Sequence, residues 1–154
     1  MAKPKTISRD IALSEITLRR YEKPTSLGER DIIRKVCLSI GLLQPGDSRD
    51  VLVDILSILI RARKEQKFLT SGEICMGVIE RRKNLNLPLY GIASSNVRRQ
   101  IRRLKDMLII EKRLNSYRIA EHEKLFHVFE EKIEKILLPS IISRIKEYLR
   151  KADE

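Results

Sequence analysis

Between Ser94 and Lys105 the chain reads Ser-Ser-Asn-Val-Arg-Arg-Gln-Ile-Arg-Arg-Leu-Lys. At about 100° per residue, Val97, Ile101, Leu104 and Leu108 fall on one side of a helix. Arg99, Arg102 and Arg103 fall opposite, Arg98 extends the basic run, and Ser95 and Asn96 stand near the helix start. A helix that buries the first set and presents the second carries the groups needed in a DNA major groove. There a guanidinium can give guanine two parallel hydrogen bonds, and an Asn amide can do the same with adenine. The plainer reading of the same face is a solvated basic surface on an ordinary helix.

The neighbouring segments decide what such a helix is set into. After it, Leu108–Lys112 and Tyr117–Ala120 are short runs rich in strand-forming residues, separated by the polar break Arg113–Ser116, which reads as a hairpin. Before it, Leu69–Glu73 reads as a helix start. Thr70 or Ser71 can cap it, and Glu73 stands three residues after Thr70 as a capping box requires. Ile74 and Val78 continue an apolar face, and Arg81, Arg82 and Lys83 close that helix with the charge its dipole favours. Upstream, Val51–Ile60 is an apolar run of helical length, interrupted by Asp54 and Ser57. The order is apolar helix, capped helix, loop, basic helix, hairpin.

From Asp50 to Ala120 this order resembles the winged helix-turn-helix superfamily of DNA-binding proteins, among them prokaryotic and archaeal transcriptional regulators. The resemblance is carried by Leu69–Ile74, by Ser95–Leu108 and by the two runs of the hairpin. It implies that Ser71–Lys83 is the first helix of the motif, Ser94–Met107 the recognition helix and Arg113–Ser116 the tip of the wing. One departure stands out. Asn84–Ala93 is longer than the tight turn of simple helix-turn-helix proteins and contains Pro88 and Gly91.

Composition narrows the classes. The chain has 154 residues, with 32 Lys and Arg against 21 Asp and Glu, for a formal net charge of +11. That excess favours a polyanionic partner. An integral membrane protein is not expected, because Val51–Ile60 falls far short of the ~20 apolar residues a span needs. Met1–Lys5 is followed by no apolar core of a signal peptide, and the expectation is a cytoplasmic protein. The six glycines have no phosphate-cradling spacing, and neither a nucleophile elbow nor a paired-carboxylate site is evident. The reading is therefore of a binding protein and not an enzyme, with no cofactor. Cys37 and Cys75 read as buried free thiols. His122 and His127 stand five apart, the wrong spacing for two ligands on one helix face, so no metal site is expected.

The remaining segments divide the chain into 1–49, an N-terminal helical extension; 50–120, the winged helix-turn-helix; and 121–154, a C-terminal helical segment. The fold class expected is mainly α with a small β-hairpin wing. A short helix over Ser8–Leu13 and a longer one over Glu29–Leu43 are predicted in the first part. In the last, Leu125, Phe126, Phe129, Ile133, Ile136 and Leu137 form one apolar stripe and Ile141, Ile142, Ile145, Tyr148 and Leu149 renew it. Between them Pro139 should kink or break the helix. This segment carries more apolar surface than a small domain needs to cover itself, which predicts a homodimer and, for double-stranded DNA, a palindromic site. Base or backbone contacts are expected from Ser95, Asn96, Arg98, Arg99, Arg102 and Arg103. Wing contacts are expected from Lys112, Arg113 and Arg118, and phosphate contacts from Arg81, Arg82 and Lys83. A module binding RNA, nonspecific DNA or a protein partner in a larger assembly is the other reading of the same face.

Overall fold

Nine apolar side chains and Asp54 dominate one helix, and the rest of the fold is arranged around it. In the computed structural model, which describes residues 9–154, helix α1 spans Glu29–Ser39 and α2 spans Val51–Lys64. They are followed by β1 (Leu69–Thr70), α3 (Ser71–Asn84), α4 (Ser94–Asp106), β2 (Ile110–Arg113) and β3 (Ser116–Ile119). A short 3-10 turn, Ala120–His122, leads into α5 (Leu125–Val128), a π-helical stretch Phe129–Leu137 and α6 (Leu138–Asp153). The fold is mainly α with a small antiparallel sheet in the order β1-β3-β2, a shape compatible with a winged helix.

Helix α2 is central because it is apolar nearly all round. Val51, Leu52, Val53, Ile55, Leu56 and Leu59 are buried, and the helix packs on α1, α3, α4 and β3. At ~1.5–3 kcal/mol for each fully buried aliphatic side chain, this one helix supplies a large part of the driving force. Around it close Ile33 and Cys37 of α1, Ile74 and Val78 of α3, and Val97, Ile101 and Leu104 of α4. Ile110 and Ile119, paired across β2 and β3, seal the floor.

Helix ends set the angles between these elements. Thr70 caps α3 with a full capping box: its side chain accepts from the Glu73 N–H, and the Glu73 carboxylate accepts from the Thr70 N–H. Helix α4 closes with Leu108 in the left-handed region, where the N–H of Leu108 donates to Lys105 and that of Ile109 to Leu104. This is the Schellman pattern, and it turns the chain from α4 into β2 within two residues.

Two expectations in the flanking segments are corrected. Helix α1 stops at Ser39 rather than Leu43, because Gly41 takes a left-handed φ of 77° and the N–H of Leu42 returns to Cys37. Pro139 does not break the C-terminal helix. The backbone keeps right-handed helical angles at Val128, Phe129, Leu137 and Leu138, and the proline stands in the first turn of α6. A proline deprives a carbonyl four residues earlier of its donor and crowds it. The π-helical turns before Pro139, bonded i to i+5, widen the helix where that crowding falls. The short helix expected over Ser8–Leu13 begins outside the described residues, as does Met1–Lys5, and Ile11–Leu13 are not helical.

Candidate nucleic-acid interface

Ser95, Arg98, Arg102 and Lys105 recur at three- and four-residue steps along α4 and are all exposed, opposite the buried Val97, Ile101 and Leu104. The wing brings a second wall to the same place. In the β2–β3 ladder, Lys112 pairs with Tyr117 on the face of the sheet that Ile110 and Ile119 share, and Lys112 Nζ lies 5.8 Å from the centre of the Tyr117 ring. Together Arg98, Arg102, Lys105, Lys112, Asn115, Tyr117 and Ser71 line a groove of about 420 Å³ between α4, the wing and the start of α3. Among the described residues four cations line it and no carboxylate does.

The twelve residues singled out from the sequence divide sharply. Arg98, Arg102 and Lys112 line the groove, with the exposed Ser95 on the same side of α4. Arg99 is exposed but belongs to the adjoining flank of α4. Arg103 is half-buried. It donates to Gln100 at 2.9 Å and reaches the Gly41 carbonyl at 3.4 Å, tying α4 to the end of α1. Asn96 is committed too. Its amide donates to the Gly91 carbonyl at 2.7 Å and accepts from Gln100 at 3.2 Å, so its hydrogen-bonding capacity goes into the loop that leads to α4. Gly91 is required there. Its φ is 77°, and a Cβ would come within 3.0 Å of Asn96 Nδ2 and 3.3 Å of Val51.

On the wing, Arg113 and Arg118 turn away from the groove. Arg118 bonds Glu111, its cross-strand partner, at 2.5 Å, and its guanidinium stands 4.9 Å from the centre of the Phe68 ring. Arg113 stands 6.0 Å from the same ring. Burial opposes the charge on Glu111, but the Glu121 N–H and Arg118 outweigh it and hold the carboxyl below its usual range. The tip itself is Leu114-Asn115. Leu114 is 90% exposed at a φ of 56°.

Arg82 corrects the sequence reading most directly. It is 1% exposed and bonds Asp54 at 2.6 Å, Asp50 at 3.1 Å and the Pro88 carbonyl at 2.7 Å. Arg81 reaches Asp54 at 3.3 Å, and Arg30 and Arg34 of α1 reach Asp50 at 3.1 and 3.0 Å. A buried guanidinium held on two carboxylates cannot meet a phosphate in solvent, and Arg81 is largely enclosed with it. Lys83 alone of the three is exposed. The long loop after α3 is therefore braced from within: Arg82 holds Pro88, and Asn96 holds Gly91.

Sequence inspection missed Lys105, Ser71, Asn115 and Tyr117. Lys105 was legible from its spacing to Arg98 and Arg102. The other three enter through the chain crossings of the sheet, which no local pattern encodes. Among the described residues, no cluster of His, Cys, Asp and Glu could hold a metal ion, and no helix is long and apolar enough to cross a membrane. No protein-family model, curated protein or solved structure matches this chain.

Proposed function

We propose that this chain is a winged helix-turn-helix protein that binds double-stranded DNA as a sequence-specific transcriptional regulator. In this reading α4 lies in the major groove. The observation that carries it is the groove between α4 and the wing, where Arg98, Arg102, Lys105 and Lys112 converge and no carboxylate is among the described lining residues. Phosphates are the natural ligands of such a groove, and the exposed Ser95, Arg99 and Arg102 of α4 are the side chains assigned to base edges in this reading. Net charge points the same way. The protein acts by binding rather than catalysis, in the cytoplasm, as a homodimer whose two recognition helices meet half-sites about one helical turn apart.

A second reading has its own support. With Asn96 committed to Gly91 and Arg103 to Gly41, the face keeps cations but loses its amide. Such a face suits phosphate contacts that do not depend on sequence. Selection of random duplexes by the purified protein at ~0.15 M salt separates the two. Recovery of a palindromic motif supports the regulator. Retention of DNA without enrichment of any motif supports sequence-independent binding, and no retention at all removes duplex DNA as the partner.

A further inference from the structure

The C-terminal helix and the N-terminal segment form an open apolar trough. Tyr21, Pro24, Leu27, Ile32, Val36, Ile40, Phe126 and Phe129 surround a groove of about 480 Å³ at the base of the helix. A smaller cavity of about 50 Å³ lies beneath it, sharing Val36, Ile40 and Phe129. Farther out, residues 9–14 stand across a second cleft from Ile141, Ile145 and Tyr148. The N-terminal segment thus accompanies the helical arm in the opposite direction. Helix α6 has no buried residue, and Ile142, Ile145, Tyr148 and Leu149 are exposed along one side of it.

We infer that the groove at the base of the arm is filled by the outer half of the same arm from a second copy, in an antiparallel exchange. This deepens the homodimer part of the proposed function and is independent of DNA. Three observations favour this occupant. First, the shapes match: Leu138, Ile142, Ile145 and Leu149 alternate at four- and three-residue steps, the narrow stripe a groove accepts.

Second, the charges match. Leu138–Asp153 holds Arg144, Lys146, Arg150 and Lys151 against Glu147 and Asp153, a net of +2. Leu125–Leu137 holds Lys132 and Lys135 against Glu130, Glu131 and Glu134, a net of −1, while Glu22 and Lys35 on the groove rim pair with each other at 2.7 Å and cancel. Antiparallel pairing sets the basic half over the acidic one. Parallel pairing sets like over like.

Third, the area suffices only when the whole arm is used. Leu125–Asp153 is about 43 Å long at ~1.5 Å per residue, so a ~10 Å wide helix covers ~430 Å² in projection and roughly twice that in accessible surface, near the ~800 Å² per partner of a stable interface. Pairing of α6 alone gives about half. In the antiparallel register Leu149 lies over the partner's Phe126, with the two-fold axis near Leu137 and Leu138.

Disulfide trapping tests the arrangement in the full chain carrying Cys75→Ser. Phe126 and Leu149 are 70% and 57% exposed, so Phe126→Cys and Leu149→Cys leave the core intact. The two positions lie about 34 Å apart along one helix, too far for a bond within a chain, which needs Cα atoms within ~7 Å. The expected result is a covalent dimer for the double variant and little for either single variant. The exposed substitution Ile145→Asp should give a monomer by sedimentation at micromolar concentration with its helical signal unchanged. Efficient cross-linking by Leu149→Cys alone means a parallel pair and overturns the inference. So does a dimer that never cross-links in the double variant, or a parent chain that sediments as a monomer. Loss of DNA binding would change none of these readouts.

Discussion

Arg82 and Asp54 meet at 2.6 Å with both side chains essentially out of solvent, linking the first turn of α2 to the last turn of α3. Asp50, the N-cap residue of α2, takes the second contact of the same guanidinium nitrogen, and the Pro88 carbonyl accepts from the Arg82 Nε–H. The two helices that support α4 are thus joined by charge as well as by packing.

Removing one partner of a buried pair costs ~3–5 kcal/mol when the other is left unpaired. Arg82→Ala should destabilise the fold by up to that amount in urea unfolding, because Arg30 and Arg81 still reach Asp54. If stability is retained and only DNA affinity falls, Arg82 is a phosphate contact after all.

The same cluster sets an acid limit. Burial would raise the Asp50 carboxyl, but Arg30 and Arg82 outweigh it and hold it below its usual range. A carboxylate depressed in the folded state contributes stability that is present above its unfolded pKa of ~3.9 and is lost as pH falls through the folded value. The contribution of Asp50 should therefore be intact at neutral pH and disappear only in strong acid. Asp50→Asn should lower stability at pH 7 and flatten the acid limb of a stability–pH curve. An unchanged acid limb would remove Asp50 from the cause.

The division of the basic residues can be read from salt dependence. Each phosphate contact contributes ~0.9 to the slope of log affinity against log salt. Arg102→Ala and Lys112→Ala should each reduce the slope by about one contact, and Arg102→Ala should relax specificity by ~1–3 kcal/mol if it pairs a base. Arg118→Ala, whose guanidinium serves Glu111 on the far face of the wing, should leave the slope unchanged. A slope lost equally in all three would place the wing differently on the duplex.

Cysteine chemistry offers a check on the core. Burial pushes the Cys37 thiol up to about 12, against the pull of Arg34 and Arg103. Cys75 is half-buried, and both thiols are free. A thiol reagent at pH 8 should modify at most Cys75 in the native protein, with Cys37 reacting only after unfolding. Fast modification of two thiols per native chain would contradict the packing of α1 on α2.

Periodicity made the supporting helices legible: Val97, Ile101 and Leu104 are buried as their spacing requires, and the Thr70–Glu73 capping box starts α3 where it was expected. The dimension that sequence hides is which charges are spent internally. Arg82 stands in a run with Arg81 and Lys83 and looks like its neighbours, yet its carboxylates lie 28 and 32 positions away. Asn96 looks like a base reader until the left-handed Gly91 turns a carbonyl onto its amide. Pro139 is a helix breaker by its own chemistry, and the relief given by the turns before it belongs to the whole arm.

Those widened turns also fix a rotational phase. Val128 and Ile133, five positions apart, are both buried, and Leu138, five farther, is half-buried. In a regular α-helix such a spacing carries a side chain well off its face, since each residue advances about 100°. The stretch Phe129–Leu137 behaves as an angular offset between two stripes that would otherwise point apart. Loss or gain of a single residue after Ile133, the last buried side chain of the stretch, would swing the outer stripe around the helix axis. Arm length and arm direction are consequently separable traits of this chain, and the second can change by one codon.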